Sequence, residues 1–256
     1  MKIVTYNMHL GGRGRTHWTE ILNRVQPEIF LVQESFDPAE HLPPHWHGNR
    51  HAQPVWQPVQ SHGKTKVWGS AVLVEPWPIV SLQLPKYSGW VVGVEIPEFT
   101  GLDGSSQRLR VFSLHAPTGL GTYQKVVNAI LDMVLDHRGG CDVVIGGDFN
   151  LTVSERHASE DRVTVKADLN IQARLREEFG VINCWQTANP DTPLVQTLAW
   201  VKDKTFPYHC DGLFVPEAWA PRLRACTALT GEVWDKLSDH RPVVAEFDPF
   251  ESSMVI

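Results

Sequence analysis

The sequence has no apolar run approaching the roughly 20 residues that a membrane-spanning helix needs, so none of its 256 residues reads as a transmembrane segment. Lys and Arg form no long run either, and the formal net charge is −6. The global field therefore does not attract a polyanion, and a nucleic acid would have to meet a local basic patch. Cysteine is sparse. Cys141, Cys184, Cys210 and Cys226 are scattered without a CxxC pair, which argues against a zinc cluster and for free thiols in a reducing compartment. No signal-peptide core precedes the first strand, MKIVTYN, and no repeat, low-complexity tract or linker divides the chain. The expectation is a cytoplasmic protein with no stable membrane association, built as a single domain over residues 1–256.

What is present is ordinary in bulk, with 42% hydrophobic and 20% charged residues, and unusual in tryptophan, of which there are ten. Most of these suit core and rim packing. Trp68, Trp185 and Trp200 are candidates for stacking on a substrate ring. Residues 2–6 read as a strand ending at Asn7, followed by a Gly-rich loop and a helix. In that helix Trp18, Ile21, Leu22 and Val25 follow helical spacing, with Thr16 as the expected N-cap and Pro27 as the stop. A buried strand then ends at Glu34. Residues 37–63, rich in Pro, His and Gln, read as an irregular excursion around at most one strand. Strands are expected at 67–74, 79–84, 89–96, 109–115 and 142–145, with a hairpin loop at 101–106. Helices are expected at 122–137 and 167–179, the second closed by Gly180, and short strands near 195–200, 211–215, 225–229 and 243–247. Many strands with interspersed helices point to two packed sheets with helices outside.

Polar residues of interest fall where apolar strands end. Asn7, Glu34, Asp148 and Asn150 each follow such a strand. Oxygen donors of this type suit a hard cation such as Mg²⁺, which takes few carboxylates and keeps several waters. In Gly147-Asp148-Phe149-Asn150 the two polar side chains are expected to point the same way along an extended segment. One of them can orient or deprotonate a water. Ser238-Asp239-His240 precedes the strand at 243–247, and Asp211 precedes another; a buried Asp beside a His would fix its tautomer and raise its pKa. His115 ends a further strand. Any one of these endings is unremarkable as a turn or cap residue. Their ordered series carries more weight.

That series is Thr5-Tyr6-Asn7, Gln33-Glu34, His115, Gly147 to Asn150, Asp211 to Val215 and Ser238 to His240. It resembles the endonuclease/exonuclease/phosphatase superfamily, the metal-dependent phosphoesterases related to deoxyribonuclease I, from residue 3 to about residue 247. The resemblance implies a four-layer α/β sandwich of two packed mixed β-sheets flanked by helices. It implies Mg²⁺, with Mn²⁺ substituting, held by Glu34 with Asn7 beside it and Asp239 close by. It makes Asp148 the residue that activates water, Asn150 the holder of that water and a phosphate oxygen, and His115 and His240 the donors to non-bridging oxygens, with Asp211 orienting His240. The abasic-site nucleases of the superfamily commonly carry Tyr in place of His115 and often Asp in place of His9. The chain therefore looks more like the deoxyribonuclease I and sphingomyelinase side.

The motif does not separate substrates. Arg13 and Arg15 in the first loop, Lys64 and Lys66, and Arg156 after the GDFN motif are candidates for phosphate contacts, which favours a nuclease acting on DNA or RNA. The acidic net charge favours instead a small-molecule or lipid phosphoester. A non-catalytic interaction module is the third reading, disfavoured because Glu34, Asp148 and His240 are all present.

Overall fold

The computed structural model describes residues 1–11, 13–43, 54–59, 67–102, 105–199 and 208–249. Among these, twelve strands form two six-stranded sheets. The first has the order β11 (Leu223–Ala228), β12 (Val243–Phe247), β1 (Lys2–Asn7), β2 (Ile29–Ser35), β4 (Gly69–Val74), β3 (Val55–Pro58), and the second β5 (Val80–Ser81), β6 (Val91–Thr100), β7 (Ser106–His115), β8 (Asp142–Asp148), β10 (Asp211–Pro216), β9 (Val181–Asn183). The strands that matter for the site are β1 (Lys2–Asn7), β2 (Ile29–Ser35), β7 (Ser106–His115), β8 (Asp142–Asp148), β10 (Asp211–Pro216) and β12 (Val243–Phe247). Both sheets are mixed: β1 runs parallel to β2 and antiparallel to β12, and β7 runs parallel to β8, which is antiparallel to β10.

The layers follow from period-2 alternation. Ile3, Ile29, Leu31, Leu109, Val111, Val144, Leu213, Val243 and Ala245 share one core between the sheets. Their neighbours turn outward. Val4, Tyr6, Phe30, Val32 and Val244 pack with Trp18, Ile21 and Leu22 of helix α1 (Arg15–Arg24) and Trp234 of helix α6 (Glu232–Leu237). On the other sheet Phe112, Leu114, Val143, Ile145 and Phe214 pack with α3 (Tyr123–Asp136) and α4 (Lys166–Phe179). This is the four-layer sandwich that the sequence implies. A polar bridge crosses the middle: the Gln33 amide donates to Ser113 Oγ at 3.0 Å, and the Ser113 hydroxyl donates to the Val32 carbonyl at 2.9 Å. Pairing of these fully buried groups removes the penalty of leaving them dry and unsatisfied.

Several boundaries differ from expectation. Helix α1 begins at Arg15 behind Gly14, whose φ of 47° supplies the entry, and no side chain caps it, so Thr16 lies inside the first turn. The strand expected at 79–84 shrinks to Val80–Ser81. The segment expected as a strand near 195–200 contributes only isolated bridges from Leu198 to Tyr208 and His240. A short helix, Pro38–His41, and the strand Val55–Pro58 occupy the described parts of the 37–63 excursion. Lys64, Lys66 and Trp200 lie outside the described residues.

Two buried histidines tie elements together. His17 of α1 meets the Tyr6 hydroxyl through Nδ1 at 3.0 Å, and His209 Nδ1 reaches the Val195 carbonyl at 2.9 Å. Burial pushes each of them down to about 4. A histidine depressed in the folded state contributes stability above its unfolded value and loses it as pH falls through that value toward the folded one. Replacement of His209 by Gln is therefore expected to flatten the decline in unfolding free energy between pH 6.5 and about 4, by up to about 1.4 kcal/mol per pH unit. Urea denaturation across this range checks it, and identical slopes in the two proteins would refute it.

Candidate active site

The inner-face alternation that builds the core also aims the polar residues. Along β1 the inward series is Ile3, Thr5, Asn7; along β7 it is Leu109, Val111, Ser113, His115; along β8 it is Val144, Gly146, Asp148; along β10 it is Asp211, Leu213, Val215. Register then lines three of them up, because His115 pairs with Asp148 and Asp148 pairs with Asp211 across adjacent strands. Close strand approach permits this. A Cβ on Gly147, which sits at φ 150°, would lie 1.8 Å from the Leu114 carbonyl oxygen.

Glu34 breaks the alternation. Its strand partner is interrupted between Val32 and Ser35, and Glu34 adopts φ 54°. This bulge turns the carboxylate inward, where Asn7 Nδ2 donates to Glu34 Oε1 at 3.2 Å and to Asp148 Oδ2 at 3.0 Å. One amide thus joins carboxylates from both sheets. Asn150 reaches the same place differently from the expected extended segment. Its φ is 54°, and its backbone N–H donates to Asp148 Oδ1 at 2.9 Å in a tight turn, while its amide holds the Ala116 carbonyl at 3.0 Å.

The Ser238-Asp239-His240 loop closes the other side. His240 Nδ1 lies 3.0 Å from Asp211 Oδ2, and its Nε2 lies 3.7 Å from Asp148 Oδ2. His115 Nε2 lies 3.5 Å from Glu34 Oε1 and 3.7 Å from Asp148 Oδ2. Its Nδ1 is buried without a partner among the described residues, so the ring is assigned the Nε2–H tautomer, with its proton toward the carboxylates. Asp239 accepts from His9 Nδ1 at 2.8 Å, and the His9 backbone N–H donates to Asn7 Oδ1 at 2.9 Å. The Leu10 N–H donates to Glu34 Oε2 at 2.7 Å.

This donor set fits a hard cation. Glu34 and Asp239 offer only oxygen, and the ion pairs of Glu34, Asp148 and Asp239 among the described residues are with histidines. A dication would balance the excess of carboxylate charge. Asn7, as placed, serves this set by orientation, with its nitrogen on the two carboxylates and its oxygen taken by His9.

Two cavities share Asp239 in their lining. One of about 540 Å³ is lined by Tyr123, Asn150, Leu151, Tyr208, Cys210 and His240, among others. The other, of about 740 Å³, is lined by His9, Arg13, Lys236, Ser238 and Arg241 and again by Asp239.

No protein-family model matches the sequence, and no curated protein matches it. Solved structures do. An AP endonuclease from Archaeoglobus fulgidus superposes with a TM-score of 0.67 at 18% identity, covering 97% of this chain and 99% of that one. The 3′ phosphatase NExo from Neisseria, bound to a product DNA hairpin, gives 0.68 at 18% identity, covering 97% and 99%. The endonuclease domain of TRAS1, a telomere-specific non-LTR retrotransposon, gives 0.65 at 15% identity, covering 98% and 99%. The chain has the endonuclease/exonuclease/phosphatase fold.

In this example of the endonuclease/exonuclease/phosphatase fold, eight of the residues expected from sequence meet at one end of the sandwich: Asn7, Glu34, His115, Asp148, Asn150, Asp211, Asp239 and His240. The arginines do not all join them. Arg13 lines the charged cavity. Arg15 is bound to the Glu40 carbonyl at 3.3 Å, away from the cluster. Arg156 is not presented to a ligand, because its side chain is only 4% exposed and pairs with Glu160 at 2.8 Å. Neither described tryptophan forms a platform: Trp68 packs behind His115 against Trp90, and Trp185 lies in the inter-sheet core against His209.

The electrostatics divide the two histidines. Burial lowers His115 to about 4 despite the neighbouring Asp148, so it is neutral near pH 7. Burial opposes the charge on His240 as well, but the carboxylates of Asp211 and Asp148 prevail and raise it to about 10. Asp148 is itself raised above the ordinary carboxylate range, by burial first, with the His240 charge pulling the other way.

Sequence reading assigned no role to the groups that hold the His240 loop. The Ser238 hydroxyl donates to the Asn7 carbonyl at 2.8 Å and accepts the His240 N–H at 3.0 Å. The Tyr6 hydroxyl reaches Ser238 and also meets His17, whose Nε2 accepts the Arg13 N–H at 3.2 Å. Tyr6 in the TYN motif was the available signal, since a tyrosine on the outward face of β1 needs a partner for its hydroxyl.

Two outcomes are expected. Substitution of Asp211 by Asn should bring His240 from about 10 down toward its ordinary 6.5, read by NMR titration of the imidazole; an unchanged titration would free Asp211 of that role. Ser238→Ala should cost about 1–3 kcal/mol in urea unfolding by leaving buried partners unsatisfied, and a change under about 0.5 kcal/mol would contradict it.

Proposed function

We propose that this protein is a Mg²⁺-dependent phosphoesterase that hydrolyses phosphodiester bonds in DNA or RNA, with Mn²⁺ able to substitute. The observation that carries the reading is the convergence on Asp148 Oδ2. Asn7, His115 and His240 all approach that one buried oxygen, within 3.0 to 3.7 Å, from separate segments. Phosphoryl transfer asks for this kind of arrangement: an oriented nucleophile and positive groups around the spreading charge, with no covalent intermediate on the protein.

In the proposed mechanism Glu34 and Asp239 would hold the cation, which when bound would supply charge neutralisation and polarisation of the ester. Asp148, with its raised proton affinity, orients a water and accepts its proton. Asn150, fixed by the Ala116 carbonyl, holds that water and a phosphate oxygen. His240 presents a charged Nε2–H to a non-bridging oxygen, with Asp211 fixing the ring. His115 presents a neutral Nε2–H to another. Asn7 sets the distance between Glu34 and Asp148.

Nucleic acid as substrate is supported by the two cavities that share Asp239 in their lining and leave the cluster accessible. Arg13 in one of them is a candidate for a phosphate contact; Lys236 and Arg241 line the same cavity but pair with Glu232 and Asp235. One structural neighbour is bound to a product DNA hairpin, and others are named as endonucleases. The acidic net charge also favours a second reading, hydrolysis of a small or lipid phosphoester.

The test is a hydrolysis panel of single- and double-stranded DNA, RNA, bis-p-nitrophenyl phosphate, inositol phosphates and sphingomyelin, with Mg²⁺, with Mn²⁺ and with a chelator. Nucleic-acid cleavage that the chelator abolishes is expected. Asp148→Asn and His240→Ala should each lower kcat by about 10²–10⁴-fold. The double variant should lose little more than either single one, because the groups act as a unit. Turnover of only a small or lipid ester would select the second reading, and failure to cut any form of DNA or RNA would end the nuclease reading.

A further inference from the structure

The oxygen set at Glu34 and Asp239 has a neighbour of different chemistry. A carboxylate oxygen of Asp148, the sulfur of Cys210 and a ring nitrogen of His240 all lie within 4.8 Å of one another, and all three residues are buried. We propose that Asp148, Cys210 and His240 form a separate site for a thiophilic dication such as Zn²⁺, and that its occupation inhibits the protein.

The donor types decide which ion fits. Sulfur, imidazole nitrogen and carboxylate oxygen are the ligands of zinc and its heavier relatives, whereas Mg²⁺ takes oxygen. Bond lengths of about 2.0–2.3 Å around a tetrahedral ion place its ligand atoms roughly 3.3–3.8 Å apart. The 3.7 Å between His240 Nε2 and Asp148 Oδ2 already lies in that range. Cys210 needs only a modest approach.

The surroundings are also those of a metal site. Asp211 binds His240 Nδ1 at 3.0 Å, which directs Nε2 toward the cluster; a carboxylate behind a ligating histidine is the usual second layer of a zinc centre. Thr197 Oγ1 accepts the backbone N–H groups of Cys210 and Asp211 at 3.0 and 3.2 Å, which fixes the backbone that carries the thiol, and the Cys210 thiol itself donates to Asp211 Oδ2 at 3.6 Å, a contact that the ion must displace. Cys210 and His240 both line the 540 Å³ cavity, which provides an entry path to the cluster.

In the absence of an ion, burial together with Asp211 and Asp148 keeps the Cys210 thiol protonated. A dication reverses this. Coordination releases the thiol proton and the His240 Nε2 proton to solvent, and the ion binds the resulting thiolate and the freed ring nitrogen. Inhibition, which rests on the phosphoesterase reading, follows because Asp148 can then take no proton from water and His240 has no Nε2–H to donate.

The experiment is a titration of the full chain with Cd²⁺, followed by the ultraviolet cadmium–thiolate charge-transfer band. A band is expected in the wild type and absent in Cys210→Ser. It should persist in a Cys184→Ser/Cys226→Ser double variant, which removes two of the other buried thiols. No band in the wild type, or a band that survives in Cys210→Ser, overturns the site. Cys210→Ala is measured alongside, with thermal unfolding confirming that at least one variant is folded; Zn²⁺ should raise Tm in the wild type and leave the folded variant unmoved. In the hydrolysis assay with excess Mg²⁺, Zn²⁺ should inhibit the wild type, and loss of the Cys210 ligand should shift the inhibiting concentration upward by at least about tenfold. The band requires no turnover, so a band without hydrolysis keeps the site and rejects the activity, whereas hydrolysis without a band does the opposite.

Discussion

A carboxylate taken fully out of water governs this structure. Asp148 is 1% exposed, and an isolated charge in that position would be expelled or neutralised. What keeps it there is supplied by both sheets. Asn7 reaches across from the first sheet, Asn150 folds its own backbone back onto the carboxylate, and His240 brings a positive charge held by Asp211. Each of these groups is itself buried or tied down, so each needs the others. The bulge at Glu34, the left-handed turn at Asn150 and the Ser238 bridge are local departures from regular backbone that make sense as service to this one oxygen pair.

Much of this was legible because the site grows out of the core pattern. A strand with apolar residues on its inner face needs only to change character at its last inward position to deliver a polar side chain to the end of the sandwich. Asn7, His115 and Asp148 arrive that way, and Asp211 does so at the start of β10, which runs antiparallel to β8; alternation along the strands finds all four. The helices at 123–136 and 166–179 were equally readable from their periodicity and, for the second, from Gly180 in the left-handed cap.

The unreadable parts depend on contacts between distant segments. Arg156 is claimed by Glu160 four residues on, a carboxylate that the Leu194 N–H, 34 residues further along, holds in place. Asn150 was placed correctly for the wrong reason, since a turn and not an extended strand brings it to Asp148. The Asn7 amide spans 141 residues to reach Asp148, and the Ser238 hydroxyl spans 231 to reach Asn7. No short-range pattern encodes such partners. The spacing rules that reject a zinc cluster are likewise blind to Cys210, whose neighbours come from other strands.

The order of strands has a further consequence for how the chain is made. The second sheet is contiguous, drawn from residues 80–216, while the first is assembled from residues 2–74 and 223–247. As the chain leaves the ribosome, the second sheet can be complete while the first still lacks β12, the strand that lies next to β1. During that interval one apolar face of the finished sheet has only a partial lid, and the His240 loop has not yet emerged. A chain that extends only as far as β10 therefore has every strand of the second sheet and still lacks the Ser238-Asp239-His240 loop that completes the candidate site.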